Sequence, residues 1–187
     1  SGLIITNSGT INADGSKAIN LLNAQSSTVT NKSGGIIKSN TNTITVTANS
    51  GTANNVTINN SGQISAGASS SGATSNNAIR SEDDTDNVTV VNNVGGHIHN
   101  NNTSSTALNS STVFIAANSS ATLTNSGTIE NKGGVDNYAI GLAGDGVTVT
   151  LKDDGKVIGK ISVAGGSTTS HTIKLQHGAG QAYFYDI

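Results

Sequence analysis

The chain has 187 residues, with no proline, cysteine, methionine or tryptophan, 3% aromatic and 11% charged residues, and a formal net charge of -2. Without cysteine there is no disulfide framework, zinc ribbon or thiol chemistry, and the weakly acidic balance argues against a nucleic-acid or anionic-membrane partner. The longest apolar runs, such as Val113-Phe114-Ile115-Ala116-Ala117, are far too short to span a bilayer, and no basic segment precedes an apolar stretch in the manner of a signal peptide.

Gly, Asn, Ser and Thr make up about half of the chain. That excess is compatible with disorder, but disorder usually brings Pro, Glu, Lys and net charge. The apolar residues here are mostly Val and Ile, supported by Thr, which is strand chemistry. The missing proline agrees, because proline removes a ladder donor and is excluded from interior strands.

Along the chain one phrase recurs. It begins as Ile5-Thr6-Asn7-Ser8-Gly9-Thr10-Ile11 and returns, longer, as Val29-Thr30-Asn31-Lys32-Ser33-Gly34-Gly35-Ile36. Then follow Ile58-Asn59-Asn60-Ser61-Gly62-Gln63-Ile64 and the degenerate Val91-Asn92-Asn93-Val94-Gly95-Gly96-His97-Ile98. Leu123-Thr124-Asn125-Ser126-Gly127-Thr128-Ile129 is the cleanest later copy, and Leu151-Lys152-Asp153-Asp154-Gly155-Lys156-Val157 is the last. The anchoring glycines Gly9, Gly34, Gly62, Gly96, Gly127 and Gly155 are spaced by 25, 28, 34, 31 and 28 residues. A constant phrase at irregular spacing means constant strands joined by variable loops.

A second phrase lies downstream of each glycine: Ala18-Ile19, Thr43-Ile44, Ala78-Ile79, Ala107-Leu108 and Ala139-Ile140. A third precedes the next copy: Val46, Val56-Thr57-Ile58, Val88-Thr89-Val90, Val113-Phe114-Ile115 and Val147-Thr148-Val149. Each repeat therefore carries about three short strands, aliphatic on one face and Thr, Ser or Asn on the other. This predicts an all-β, right-handed parallel β-helix of about six coils in one domain spanning 1–187. Repeat coils occupy 1–146; 147–187 holds the last coils and a closing segment with the aromatic cluster Tyr183-Phe184-Tyr185. At the other end Leu3-Ile4-Ile5 starts a coil at once, so that end is expected to be uncapped or capped by something outside this chain. An antiparallel sandwich with Asn-Gly hairpins is the competing fold.

The Asn-Ser-Gly element reads as a corner, with glycine supplying positive φ. Stacked corners place Asn7, Asn31, Asn59 or Asn60, and Asn125 in register, predicting an asparagine ladder.

The pattern Thr-Asn-Ser-Gly-Thr-Ile followed by Ala-Ile resembles the passenger repeats of bacterial autotransporter adhesins. Thr6–Ile11 with Ala18-Ile19, and Thr124–Ile129 with Ala139-Ile140, carry the resemblance best, and Val157–Gly166 is similar to passenger sequence near its end. The resemblance implies an extracellular or cell-surface β-helix, exported by a Gram-negative bacterium and often adhesive. The family's membrane barrel has no counterpart in this sequence.

Candidate chemistry is sparse. Carbohydrate-active β-helices need paired carboxylates converging on one face; Asp14, Glu130, Asp136, Asp145, Asp153, Asp154 and Asp186 sit mostly in Gly- or Asn-rich turns. Glu82-Asp83-Asp84-Thr85-Asp86 offers oxygen ligands for calcium, or a solvated loop whose charges resist edge pairing. His97-Ile98-His99 sets two imidazoles on one outward face, without an evident third zinc ligand. Thr-x-Thr pairs such as Thr148-Val149-Thr150 resemble those of ice-binding solenoids, but the unequal coils argue against a regular array. No catalytic, cofactor or metal site is expected.

The expected function is a non-enzymatic extracellular or cell-surface module of autotransporter-passenger type. Its adhesive or presenting surface would be the variable stretches 65–78 and 99–107, and its partner a glycan or protein on a host or neighbouring cell. The alternative is a self-assembling filament or surface-layer subunit built by head-to-tail stacking of copies, with a polysaccharide-active β-helix as a minor one.

Overall fold

Short runs of alternating β-branched and polar residues cannot bury their aliphatic face within one turn of chain, so they stack. The computed structural model describes residues 2–47, 55–68, 76–82, 87–102, 107–116, 120–164 and 170–178. The first coil is β1 (Ile4–Asn7), β2 (Thr10–Ala13) and β3 (Ile19–Leu22); the second is β4 (Ser27–Asn31), β5 (Ile36–Ser39) and β6 (Ile44–Thr47). The third is β7 (Val56–Asn60), β8 (Gln63–Ala66) and β9 (Ile79–Ser81). The fourth is β10 (Val88–Asn92), β11 (His97–Asn100) and β12 (Val113–Ile115); the fifth is β13 (Thr122–Asn125), β14 (Thr128–Asn131) and β15 (Tyr138–Leu142). The sixth is β16 (Thr148–Lys152), β17 (Lys156–Ile158) and β18 (Lys160–Val163), after which β19 (Thr172–Gln176) adds a seventh strand to the first sheet.

Among the described residues, equivalent strands of successive coils pair in three sheets of seven, six and six strands. Every pairing among the described strands is parallel, which excludes the antiparallel sandwich. The fold is a parallel β-helix. Its register places like on like. Ile11, Ile37, Ile64, Ile98, Ile129 and Val157 form one inward column of the second sheet. In the third, Ile19, Ile44, Ile79, Val113, Ile140 and Ile161 form another. The middle members of these columns have no exposed surface, whereas Ile5 and Ile11 at the first coil are only partly buried. At about 0.8 kcal/mol per buried CH₂ these columns dominate the favourable energy.

Three strand assignments from the sequence are corrected. Val113-Phe114-Ile115 does not precede the next corner as a first-sheet strand; it pairs with β9 and β15 in the third sheet. Ala107-Leu108 falls in the connection ahead of it, and Leu108–Ser110 forms a short 3-10 turn. Val46 likewise lies in β6 of the third sheet. A short apolar segment carries no mark of which sheet it joins; only counting back from the corner asparagine separates them. Tyr183-Phe184-Tyr185 lies outside the described residues.

Candidate functional site

The asparagines of the repeated phrase all fall at the inward-facing end of the first-sheet strand. Period two from Val56 and Ile58 turns Asn60 inward and Asn59 outward, so Asn60 occupies the ladder position. The register aligns Asn7, Asn31, Asn60, Asn92 and Asn125. Each Nδ2 donates to the next Oδ1: Asn7 to Asn31, Asn31 to Asn60 and Asn60 to Asn92, each at 2.9 Å, and Asn92 to Asn125 at 2.8 Å. The same Nδ2 groups reach the carbonyl of their own corner glycine, Gly9, Gly35, Gly62 or Gly96, at 3.1–3.2 Å. The ladder thus has a direction, donating toward later coils, and satisfies amides that are almost fully buried. It ends where Leu151 takes the next position, leaving Asn125 Nδ2 to donate to the Lys156 carbonyl at 3.0 Å. Asn92 went unrecognised in the sequence because its corner is degenerate, yet alternation from Val88 and Val90 marks it as inward.

The corner lengths alternate. Counting from the ladder position to the second-sheet strand, they comprise residues 8–9, 32–35, 61–62, 93–96, 126–127 and 152–155: two, four, two, four, two, four. In the long corners Gly35 N donates to the Lys32 carbonyl at 2.8 Å and Gly96 N to the Asn93 carbonyl at 2.9 Å. In the first two of them the positive-φ residues are Gly34 (78°) and Gly95 (80°), the third position of a type II turn, whereas in 152–155 it is Asp153 (54°), the second position. The stacked glycine of the second coil is therefore Gly35, whose carbonyl accepts from Gln63 N just as that of Gly9 accepts from Ile36 N. Gly34 is the inserted one.

Conformational freedom is also not what fixes Gly9, Gly62, Gly96, Gly127 and Gly155, none of which has positive φ. A Cβ on Gly62 would collide with the carbonyls of Gly35 and Lys32, and one on Gly127 with those of Gly96 and Asn93. The short corner is glycine because the preceding long corner sits directly on it. Long corners project and short ones recede, so a notch of about 340 Å³ opens over Ser61 and Gly62 between Gly34 and Gly95.

On the outer face of the first sheet Thr28, Thr57, Thr89, Thr122, Thr148 and Thr172 stand in one register column. Two residues along, the second column holds Thr6, Thr30, Thr124 and Thr150, interrupted by Asn59 and Val91. Unequal coil lengths therefore do not disturb this face, because the inequality lies elsewhere. Connections from the second sheet to the third run from one residue (159) to twelve (67–78 and 101–112).

The histidine pair lies on one side of β11, with ring centroids 4.5 Å apart. Glu130 Oε2 approaches His97 Nε2 at 2.9 Å. His99 is not a surface imidazole: it is 3% exposed, and its Nδ1 has no hydrogen-bond partner among the described residues. Burial, with the neighbouring Lys132 charge and His97, lowers its pKa to about 4. Among the described residues no group of three His, Asp or Glu side chains is arranged to hold a metal ion.

The carboxylates are dispersed onto separate partners. Asn12 Nδ2 donates to Asp14, Asp136 faces Lys160 at 3.5 Å, and Asp153 accepts from Ser126 Oγ at 3.1 Å. Glu82 pairs with Arg80 at 3.2 Å, and the guanidinium lies 4.8 Å above the Phe114 ring. Asp83, Asp84 and Asp86 of the acidic run, and Asp186, lie outside the described residues. Comparison with known proteins returns no match: no family model fits the chain, and no curated protein or solved structure is similar to it.

Proposed function

We propose that the chain is a non-enzymatic scaffold of the autotransporter-passenger kind, displayed outside the cell, that holds variable connections for adhesion. The observation that carries this reading is where the length variation falls. The corner between the first and second sheets never exceeds four residues, while two successive coils carry twelve-residue excursions at the next corner, 67–78 and 101–112. A rigid stack with neighbouring long connections on one side is the common arrangement for loop-borne recognition. These excursions overlap the stretches 65–78 and 99–107 marked from sequence, of which 65–66 and 99–100 belong instead to β8 and β11; residues 69–75 and 103–106 lie outside the described residues. The partner is a glycan or protein of a host or neighbouring cell surface.

The self-stacking alternative draws less support. At the ladder position of β19, the last described strand of the first sheet, stands Leu175, so among the described residues no asparagine continues the ladder past Asn125.

The test replaces both excursions by the four-residue connection 40–43. Binding of the purified chain to cultured cells and a glycan array should fall to background while the far-UV circular dichroism stays that of a β-helix. Full binding by the shortened chain would overturn the proposal.

A further inference from the structure

Stacking in a parallel β-helix requires that inward side chains match from coil to coil, and asks of the outward ones only that they suit a strand. The second and third sheets show this latitude. One outward column of the second reads Ile36, Gln63, His97, Thr128 and Lys156, and one of the third reads Asn20, Thr45, Arg80, Phe114 and Gly141. On the first sheet the corresponding column is threonine in six successive strands, from Thr28 of β4 to Thr172 of β19. The strand preference of threonine acts on all three sheets alike, so it does not account for a column confined to one.

The array is regular in two directions. Stacked threonines lie about 4.8 Å apart, and the second column, with Thr30, Thr124 and Thr150, lies about 6.6 Å further along the strands. Asn59 and Val91 interrupt that second column, but Val91 keeps the branched shape of threonine. None of the six first-sheet pairings has a register shift, whereas the third sheet steps between Tyr138 and Ile140. From β4 to β16 both columns are partly exposed throughout and hold no charged residue. The branched Cβ restricts χ1, and Thr122 Oγ1 donates to Thr89 Oγ1 at 3.3 Å within the column. Hydroxyls and methyls are therefore held at set positions on a neutral face.

We infer that this face binds ice. Its hydroxyls anchor first-shell water, and its methyls order the water between them. The two repeats of the array approach the two oxygen–oxygen repeats on a prism face of the ice crystal, so the held layer continues the lattice. A face without charge suits a lattice without charge, because an ion would turn the surrounding water into orientations the crystal does not use. The inference does not rest on the adhesive reading: the twelve-residue excursions leave from the junction of the second and third sheets, which the first sheet does not border.

The experiment grows ice slowly from a solution of the purified chain and measures the protein carried into the ice. On a single seed crystal it also reads the gap between melting and growth temperatures. The chain should concentrate in the ice and open that gap. Thr57→Lys combined with Thr148→Lys puts two charged, flexible side chains on the face at positions that are already partly exposed. This variant, its fold checked by circular dichroism, should be excluded from the ice and lose the gap. Asn12→Lys, at an exposed position of the second sheet, should behave as the unsubstituted chain does, and so should the chain with both excursions shortened. Exclusion of the unsubstituted chain from ice would overturn the inference whatever the variants do. Equal uptake of the face variant, or loss of uptake on shortening the excursions alone, would overturn it as well.

Discussion

Replacing Asn92 by alanine is the sharpest perturbation of the ladder. Its side chain has no exposed surface, accepts from Asn60 Nδ2 at 2.9 Å and donates to Asn125 Oδ1 at 2.8 Å and to the Thr128 carbonyl at 3.1 Å. Truncation leaves Asn125 Oδ1 without its donor and takes one acceptor from Asn60 Nδ2, which keeps Gly62 O at 3.1 Å. An unsatisfied buried polar group costs about 1–3 kcal/mol, so two disturbed groups put the loss at about 2–5 kcal/mol, a large part of the ~5–15 kcal/mol of a folded domain. Asn7→Ala should cost less, at most about 1–3 kcal/mol, because the one buried group it strands is the Asn31 acceptor, while the Gly9 amide that it also frees belongs to an exposed residue. Urea unfolding followed by circular dichroism gives both values from the midpoint and slope. A loss below about 1 kcal/mol for Asn92→Ala, or equal losses at Asn7 and Asn92, would refute the reasoning.

Two further outcomes follow from the same geometry. Gly62→Ala drives a methyl into the Gly35 and Lys32 carbonyls and should destabilise by about 1–3 kcal/mol, measured by the same urea midpoint; a neutral effect would contradict the close stacking of corners. His99 is held neutral, with its pKa lowered from 6.5 to about 4 by burial, Lys132 and His97, while Glu130 faces the same pair through His97. Between these values the unfolded chain binds a proton that the folded chain does not, so His99's contribution is full above pH 6.5 and is lost as pH falls toward 4. Across that window wild type should lose stability relative to His99→Gln, and parallel pH profiles of the two would refute the assignment.

The corners were the legible part of this sequence, because an asparagine and a glycine two or four residues on have little freedom once coils stack. Alternation along Val56-Thr57-Ile58-Asn59-Asn60 carried the register and, applied to Val88, also identifies Asn92. What sequence could not convey was the reason for the glycines. Positive φ is a local property and belongs to Gly34 and Gly95, whereas Gly62 and Gly127 are dictated by a carbonyl one coil away. The third-sheet place of Val113-Phe114-Ile115 was illegible for a similar cause: three apolar residues after a long connection fit either neighbouring sheet until the pairing partners are known. The burial of His99 likewise depends on packing from outside its own strand, which a strand pattern does not encode.

Parallel coils locked by a directed asparagine ladder are the central claim, and the side-chain amides of Asn31, Asn60 and Asn92 test it most directly. In a labelled sample their NδH₂ protons should exchange slowly and show nuclear Overhauser contacts that step from Asn31 to Asn60 to Asn92 across the coils. Amide protons exchanging at the rate of free asparagine, or contacts linking these strands in antiparallel order, would contradict it.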